Sequence, residues 1–104
     1  MSDTTKAWRS IPLFQYLTFD EFYAHLPHDC RLIGVEFPHE KAVSLPKFTH
    51  PERCVYLLGA EDYGLSKQAL ERCHRVVYAP SQRCLNVAVA GSLIMCDRMA
   101  KAAA

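Results

Sequence analysis

CVYLLGAEDYGLS, residues 54–66, is the stretch that decides how this chain folds. Cys54 to Leu58 is β-rich and free of charge, the pattern of a buried strand. Gly59 follows directly. Lacking a Cβ, it leaves the backbone open to a ligand's close approach, while Gly64 can take positive φ and turn the chain onward. Ser66 then supplies a cap for a helix running to about Cys73. Glu61 stands between the glycines as an acceptor. On its own, Gly-x-Glu-x-x-Gly is weak evidence of a site, because strand-to-helix turns use glycine structurally and exposed glutamates are common.

The flanks repeat the same alternation of strand and helix. Upstream, Ile11 to Tyr16 reads as a weak strand or extended lead-in, its Pro12 confining it to an edge. Thr18 to Glu21 reads as a capping box that starts a short helix ending near Leu26, before Pro27. Leu32 to Val35 is an apolar run of the kind buried on both faces. Pro38 to Pro51 is loop, with Ser44 to Phe48 too irregular to assign. Downstream, Val76 to Tyr78 is another strand, closed by Ala79 and Pro80, and a helix runs from a cap at Asn86 to Lys101. Apolar strands alternating with helices indicate an α/β fold, a parallel sheet flanked by helices. Loops 59–65 and 79–86 should therefore leave the same carboxyl edge, where open α/β sheets bind ligands.

Composition narrows the partners. With 104 residues, 50% hydrophobic and 22% charged, the chain has the balance of one globular domain over residues 1–104. Its formal net charge of +1 creates no global field toward nucleic acid or membrane, so any RNA contact must be a local patch. Five cysteines (Cys30, Cys54, Cys73, Cys84 and Cys96), odd in number and without paired CxxC spacing, argue against a disulfide framework or zinc ribbon and fit a reducing cytoplasm. The first ten residues resemble neither a signal peptide nor a presequence, and Ala102 to Ala104 reads as an appended tail.

Val87 to Cys96 is apolar or small on every face and about half the length of a membrane span, so a buried helix is expected there and no membrane association. Gly91 and Ser92 would let another helix approach. A helix apolar all round, on so small a domain, also suggests a partner subunit.

The remaining clusters carry less. His25, His28 and Cys30 surround a proline turn, and His50 and Cys54 are spaced i, i+4 but interrupted by Pro51, so no metal site is expected. Adjacency of Cys73 and His74 does not place thiol and imidazole for nucleophilic catalysis, although the thiols leave a cysteine-dependent hydrolase as a third reading. Arg53, Arg72, Arg75, Arg83, Arg98 and Lys101 are candidates for phosphate contact, most of them expected as solvated helix ends or loop positions. Arg83, beside the second loop, is the one assigned to RNA.

A second stretch, CLNVAVAGSLIMCDR at residues 84–98, supplies a resemblance. Together with Leu58 to Leu65 and the Pro-containing loop at Ala79 to Ser81, it is similar to the motifs of the SpoU/TrmH branch of the SPOUT superfamily. These are S-adenosylmethionine-dependent RNA methyltransferases with a trefoil knot. Cys84 to Ala90 resembles the family's third motif, usually a serine followed by Leu-Asn-Val and small residues. Gly34 to Glu36 and Phe48 to Arg53 resemble the middle of such domains, so the likeness spans roughly residues 11–101.

The resemblance implies a SPOUT-type α/β knot and a homodimer built with the last helix. It implies S-adenosylmethionine held by Leu58, Gly59, Gly64, Ala79, Pro80 and Leu85, with Glu61, Asn86 and Cys84 at the catalytic position, and transfer to a ribose 2′-hydroxyl of tRNA or rRNA. Two departures accompany it. The family's first motif, which carries the arginine held to activate the hydroxyl, has no counterpart in residues 1–10, so the chain reads as the C-terminal two-thirds of the domain. Cys84 replaces the usual serine, and a thiol is a poorer hydrogen-bonding group. A non-catalytic cofactor-binding or dimerisation module that lost the first motif is the alternative.

Overall fold

A computed structural model of the chain describes residues 14–36, 40–59, 64–79 and 86–103. Their order is α1 (Phe19–Ala24), β1 (Arg31–Val35), β2 (Ala42–Ser44), a 3-10 turn (Leu45–Lys47), β3 (Cys54–Leu58), α2 (Lys67–Arg72), β4 (Arg75–Tyr78) and α3 (Val87–Ala103). All four strands are parallel and lie in the order β2-β4-β1-β3. The expected parallel α/β sheet is therefore present, and its last strand sits between the first two rather than at an edge.

Period-two alternation sorts side chains to the two faces. Ile33, Val77, Leu45 and Phe48 form one cluster with Ile94 of α3. Leu32, Val76 and Cys73 form another on the opposite face, packed against Phe19, Phe22 and Leu26 around α1 and Leu70 of α2. The helices start where hydroxyl caps are available: Thr18 Oγ1 accepts from the Glu21 amide at 3.1 Å and Ser66 Oγ from the Ala69 amide at 3.1 Å. His74 extends the sheet with a side chain. Its amide donates to Leu32 O at 2.8 Å while its ring Nδ1 accepts from the Leu32 amide at 2.8 Å, so the imidazole stands in for a ladder carbonyl.

Four local expectations change. Ala42–Ser44, which falls in the stretch read from sequence as loop, is an edge strand selected by its pairing with Val76 to Tyr78. Phe14 to Tyr16 takes no strand, and Ile11 to Leu13 lies outside the described residues. Helix α1 stops at Ala24, two residues early, as tighter turns from the His25 and Leu26 amides to Phe22 O and Tyr23 O close it before Pro27. Finally, α3 is not buried within the chain. Only Ile94 is fully enclosed, whereas Val89, Leu93, Met95 and Met99 are 43–73% exposed. Nor does Gly91 await a second helix: a Cβ there would meet Leu58 Cδ2 of the chain's own sheet at 3.7 Å.

Candidate functional site

At the carboxyl edge, the turn after β3 is held by the chain itself. A Cβ on Gly59 would fall 2.2 Å from the Gly64 carbonyl carbon and 2.5 Å from the Leu65 nitrogen. Glycine is required at 59 because the returning backbone at Gly64 and Leu65 occupies the side-chain space. Gly64 has φ +64°, a left-handed conformation that L side chains resist, and a Cβ there would lie 2.8 Å from both Glu36 carboxylate oxygens. Glu36, directly after β1, accepts from the Leu65 amide at 2.8 Å and donates its own amide to Val77 O at 3.2 Å. Its carboxylate thus holds Gly64 and Leu65 at the end of strand β1.

Leu58, Gly59, Gly64 and Ala79 are partly buried along this edge. Asn86 starts α3: its Oδ1 accepts from the Ala88 amide at 2.8 Å and its carbonyl from the Ala90 amide at 2.8 Å. Glu61, Pro80, Arg83, Cys84 and Leu85 lie outside the described residues.

The opposite end of α3 carries a polar network not legible as a unit in the sequence. His50, its side chain only 5% exposed, holds Asp97 Oδ2 through Nε2 at 2.7 Å and Tyr56 Oη through Nδ1 at 2.6 Å. A carboxylate only accepts, so in the neutral imidazole Nε2 bears the proton and Nδ1 accepts from the phenol. Arg98 donates to Pro51 O at 2.7 Å, Glu52 O at 2.7 Å and Tyr56 Oη at 3.0 Å, and Lys101 donates to Leu45 O, Phe48 O and Asp97. Neither cation is a solvated helix end. Both fasten the last turns of α3 to the segment preceding β3.

Burial, with the Cys54 thiol adding to it, pushes the Tyr56 phenol up to about 12 against the lowering pull of Arg98. For Asp97, burial acts upward, but hydrogen bonds from Lys101 and His50 outweigh it and hold the carboxyl below its ordinary value. These charges serve α3, at the end of the strands remote from the glycine loop.

Comparison with known proteins bears on the edge. Residues 1–96 match the SpoU rRNA Methylase family. The chain belongs to the SpoU rRNA methylase family. Comparison with curated proteins finds no match. Among solved structures, it is similar to the SpoU methyltransferase AviRb from Streptomyces viridochromogenes, solved in complex with the cofactor AdoMet, at TM-score 0.62 and 24% identity. The alignment covers 82% of this chain and 32% of AviRb, so the chain spans about a third of that protein's length, and the likeness at this identity is one of fold.

In this SpoU-family chain the described edge residues fit an adenosylmethionine-type group in one respect. The ends of β3 and β4 offer half-buried main chain beside apolar side chains at Leu58 and Ala79, with no charge at either position. At Gly59 and Gly64 the side-chain space is taken by the chain's own backbone and by Glu36, which leaves only main chain to offer at these positions. Glu36 is the residue that sequence reasoning left without a role. Its signal was available: an acid immediately after a strand buried on both faces, at the edge where the loops converge.

Proposed function

We propose that the chain is a methyl-transferring domain that binds S-adenosylmethionine at the carboxyl edge of its sheet and acts on the ribose 2′-hydroxyl of tRNA or rRNA. One observation carries the reading: in a chain of this family, Glu36 accepts from the Leu65 amide and lies against Gly64, which packs on Gly59 at the carboxyl edge, where parallel sheets take ligands.

Leu58, Gly59, Gly64, Ala79, Pro80 and Leu85 would hold the cofactor. When bound, that group supplies an electrophilic methyl on a sulfonium. With it bound, the methyl would pass from sulfur to the ribose oxygen, and the hydroxyl proton would have to leave to a base or to solvent. A 2′-hydroxyl is a poor nucleophile, so orientation and proton acceptance are what the protein contributes. We assign these tasks to Glu61, Asn86 and Cys84, and substrate phosphate contact to Arg83.

The assembly belongs to the same proposal. Apolar side chains on the outer side of α3 support a homodimer, and insertion of β4 between β1 and β2 supports a knotted C-terminal segment. No helix among the described residues is long and apolar enough to cross a membrane. From five cysteines without paired spacing, which suit a reducing compartment, we infer a cytoplasmic enzyme.

The test is calorimetric titration of the chain with S-adenosylmethionine and its demethylated product. Saturable binding at one site per chain is expected. Absence of binding would overturn the reading, and binding without methyl transfer to any RNA would favour the non-catalytic alternative.

A further inference from the structure

On the α1 and α2 face, at the amino edge of the sheet, lies an open cleft of about 480 Å³ that the proposed chemistry does not use. That volume is in the range of small-ligand pockets, roughly 300–1,000 Å³. Its lining includes Tyr23 of α1, Leu26 and His28 from the following turn, and Arg72 and His74 from the end of α2 and the turn into β4, with Asp20 at the rim. The rise of β1 puts it about 16 Å from the carboxyl edge.

The polar groups are unequally engaged. Arg72 lies 4.7 Å over the Tyr23 ring, and its 3.8 Å approach to Asp20 exceeds hydrogen-bond length, so the guanidinium keeps its donors. Asp20 Oδ1 accepts instead from Gln68 Nε2 at 3.0 Å. His74 uses Nδ1 to accept from the Leu32 amide, which fixes the neutral ring's proton on Nε2. His28 is exposed and makes no hydrogen bond to a described residue. Arg72 and His74 therefore offer donors to the cleft, and the nearby Asp20 carboxylate already accepts from Gln68 and lies beside the Arg72 guanidinium. Donors around an apolar floor, with a guanidinium stacked on a phenol ring, match a ligand that joins a flat heterocycle to an anion.

We propose that this cleft holds one nucleotide of a single-stranded RNA segment, with its base against Tyr23 and Arg72 and its phosphate at His28 and His74. The proposal rests on the RNA reading above and adds to it a second contact, remote from the methyl-transfer edge. The formal charge of +1 fits a local grip rather than a general nucleic-acid field.

Histidine ring signals of the full chain, followed by NMR during titration with adenosine 5′-monophosphate and with a single-stranded RNA of about ten nucleotides, test it. Both ligands should shift the His28 and His74 signals, the RNA binding more tightly. Arg72→Gln and Tyr23→Leu should each weaken RNA binding about tenfold while leaving S-adenosylmethionine affinity unchanged. Thermal unfolding of the two variants separates loss of contact from loss of fold. RNA bound equally by wild type and both folded variants would overturn the cleft while sparing the RNA reading. Binding of the monophosphate without RNA would overturn RNA as the source of the nucleotide, and no shift of either histidine with either ligand would overturn the proposal.

Discussion

Gly59 and Gly64 look equivalent in the sequence, yet they answer to different forces. At Gly59 the obstacle is backbone, which cannot swing aside; at Gly64 it is a positive φ and the carboxylate of Glu36. Gly59→Ala should therefore unfold at clearly lower urea, losing about 1–3 kcal/mol as overpacking does. Glu36→Gln keeps an oxygen for the Leu65 amide and should fall little, whereas Glu36→Ala should lose about 1 kcal/mol or more with the hydrogen bond. Equal midpoints for the alanine and glutamine variants would remove Glu36 from the loop's support. At the other end of the strands the residue scale is electrostatic. Because Asp97 holds its carboxyl below the ordinary value, its stabilising effect is complete above the unfolded value, about 4, and fades as pH falls through the folded value. Tyr56 has the opposite sign: raised to about 12, it loses stability to alkali as pH climbs from about 10. Stability curves across both windows should show Asp97→Asn flattening the acid limb and Tyr56→Phe flattening the alkaline one.

Helix α3 joins these two ends, and its start and its side contacts were not equally readable. Asn86 as a cap followed from side-chain chemistry alone, since an amide oxygen ahead of an apolar helix satisfies an orphan amide. Replacing Asn86 with alanine should lower stability by about 1 kcal/mol, and replacing it with aspartate, which keeps the acceptor, should not. If Asn86 also organises the cofactor site, S-adenosylmethionine affinity will drop in both variants, and an unchanged affinity in the folded Asn86→Asp protein would confine the residue to capping. Hydropathy misled where it could not separate burial in this chain from burial against another. Ile94 and Leu93 are adjacent and both aliphatic, but one is enclosed and the other 43% exposed. Edge strand β2 was missed for a related reason: Ala42–Ser44 has no pattern of its own, and pairing with β4 makes it a strand. Arg98 and Lys101 carried no sign of their carbonyl partners, which lie 46 to 56 residues away in sequence.

Across the whole molecule, the parallel order was legible because β1, β3 and β4 are short apolar runs and the capped helix α2 connects β3 to β4. The insertion of β4 was not, because local pattern does not encode strand neighbours. Helix α3 has two apolar sides. The sheet it covers is four strands wide, with β4 and β1 at the centre, and Ile94 reaches the cluster formed by Ile33 and Val77. Val89, Leu93 and Met99 are left outward, 48%, 43% and 73% exposed on one helix, which supports the proposed homodimer. In sedimentation the wild-type chain should then run at twice its 11.8 kDa mass. Leu93→Glu combined with Met99→Glu should give a folded monomer, because buried unpaired carboxylates oppose association while the exposed positions tolerate charge within one chain. S-adenosylmethionine titration of that monomer carries the inference further. Affinity retained would place the whole pocket within one chain, and affinity lost with the fold intact would mean that the second copy completes it. A wild-type chain that sediments as a monomer at high concentration would remove the dimer from the proposal.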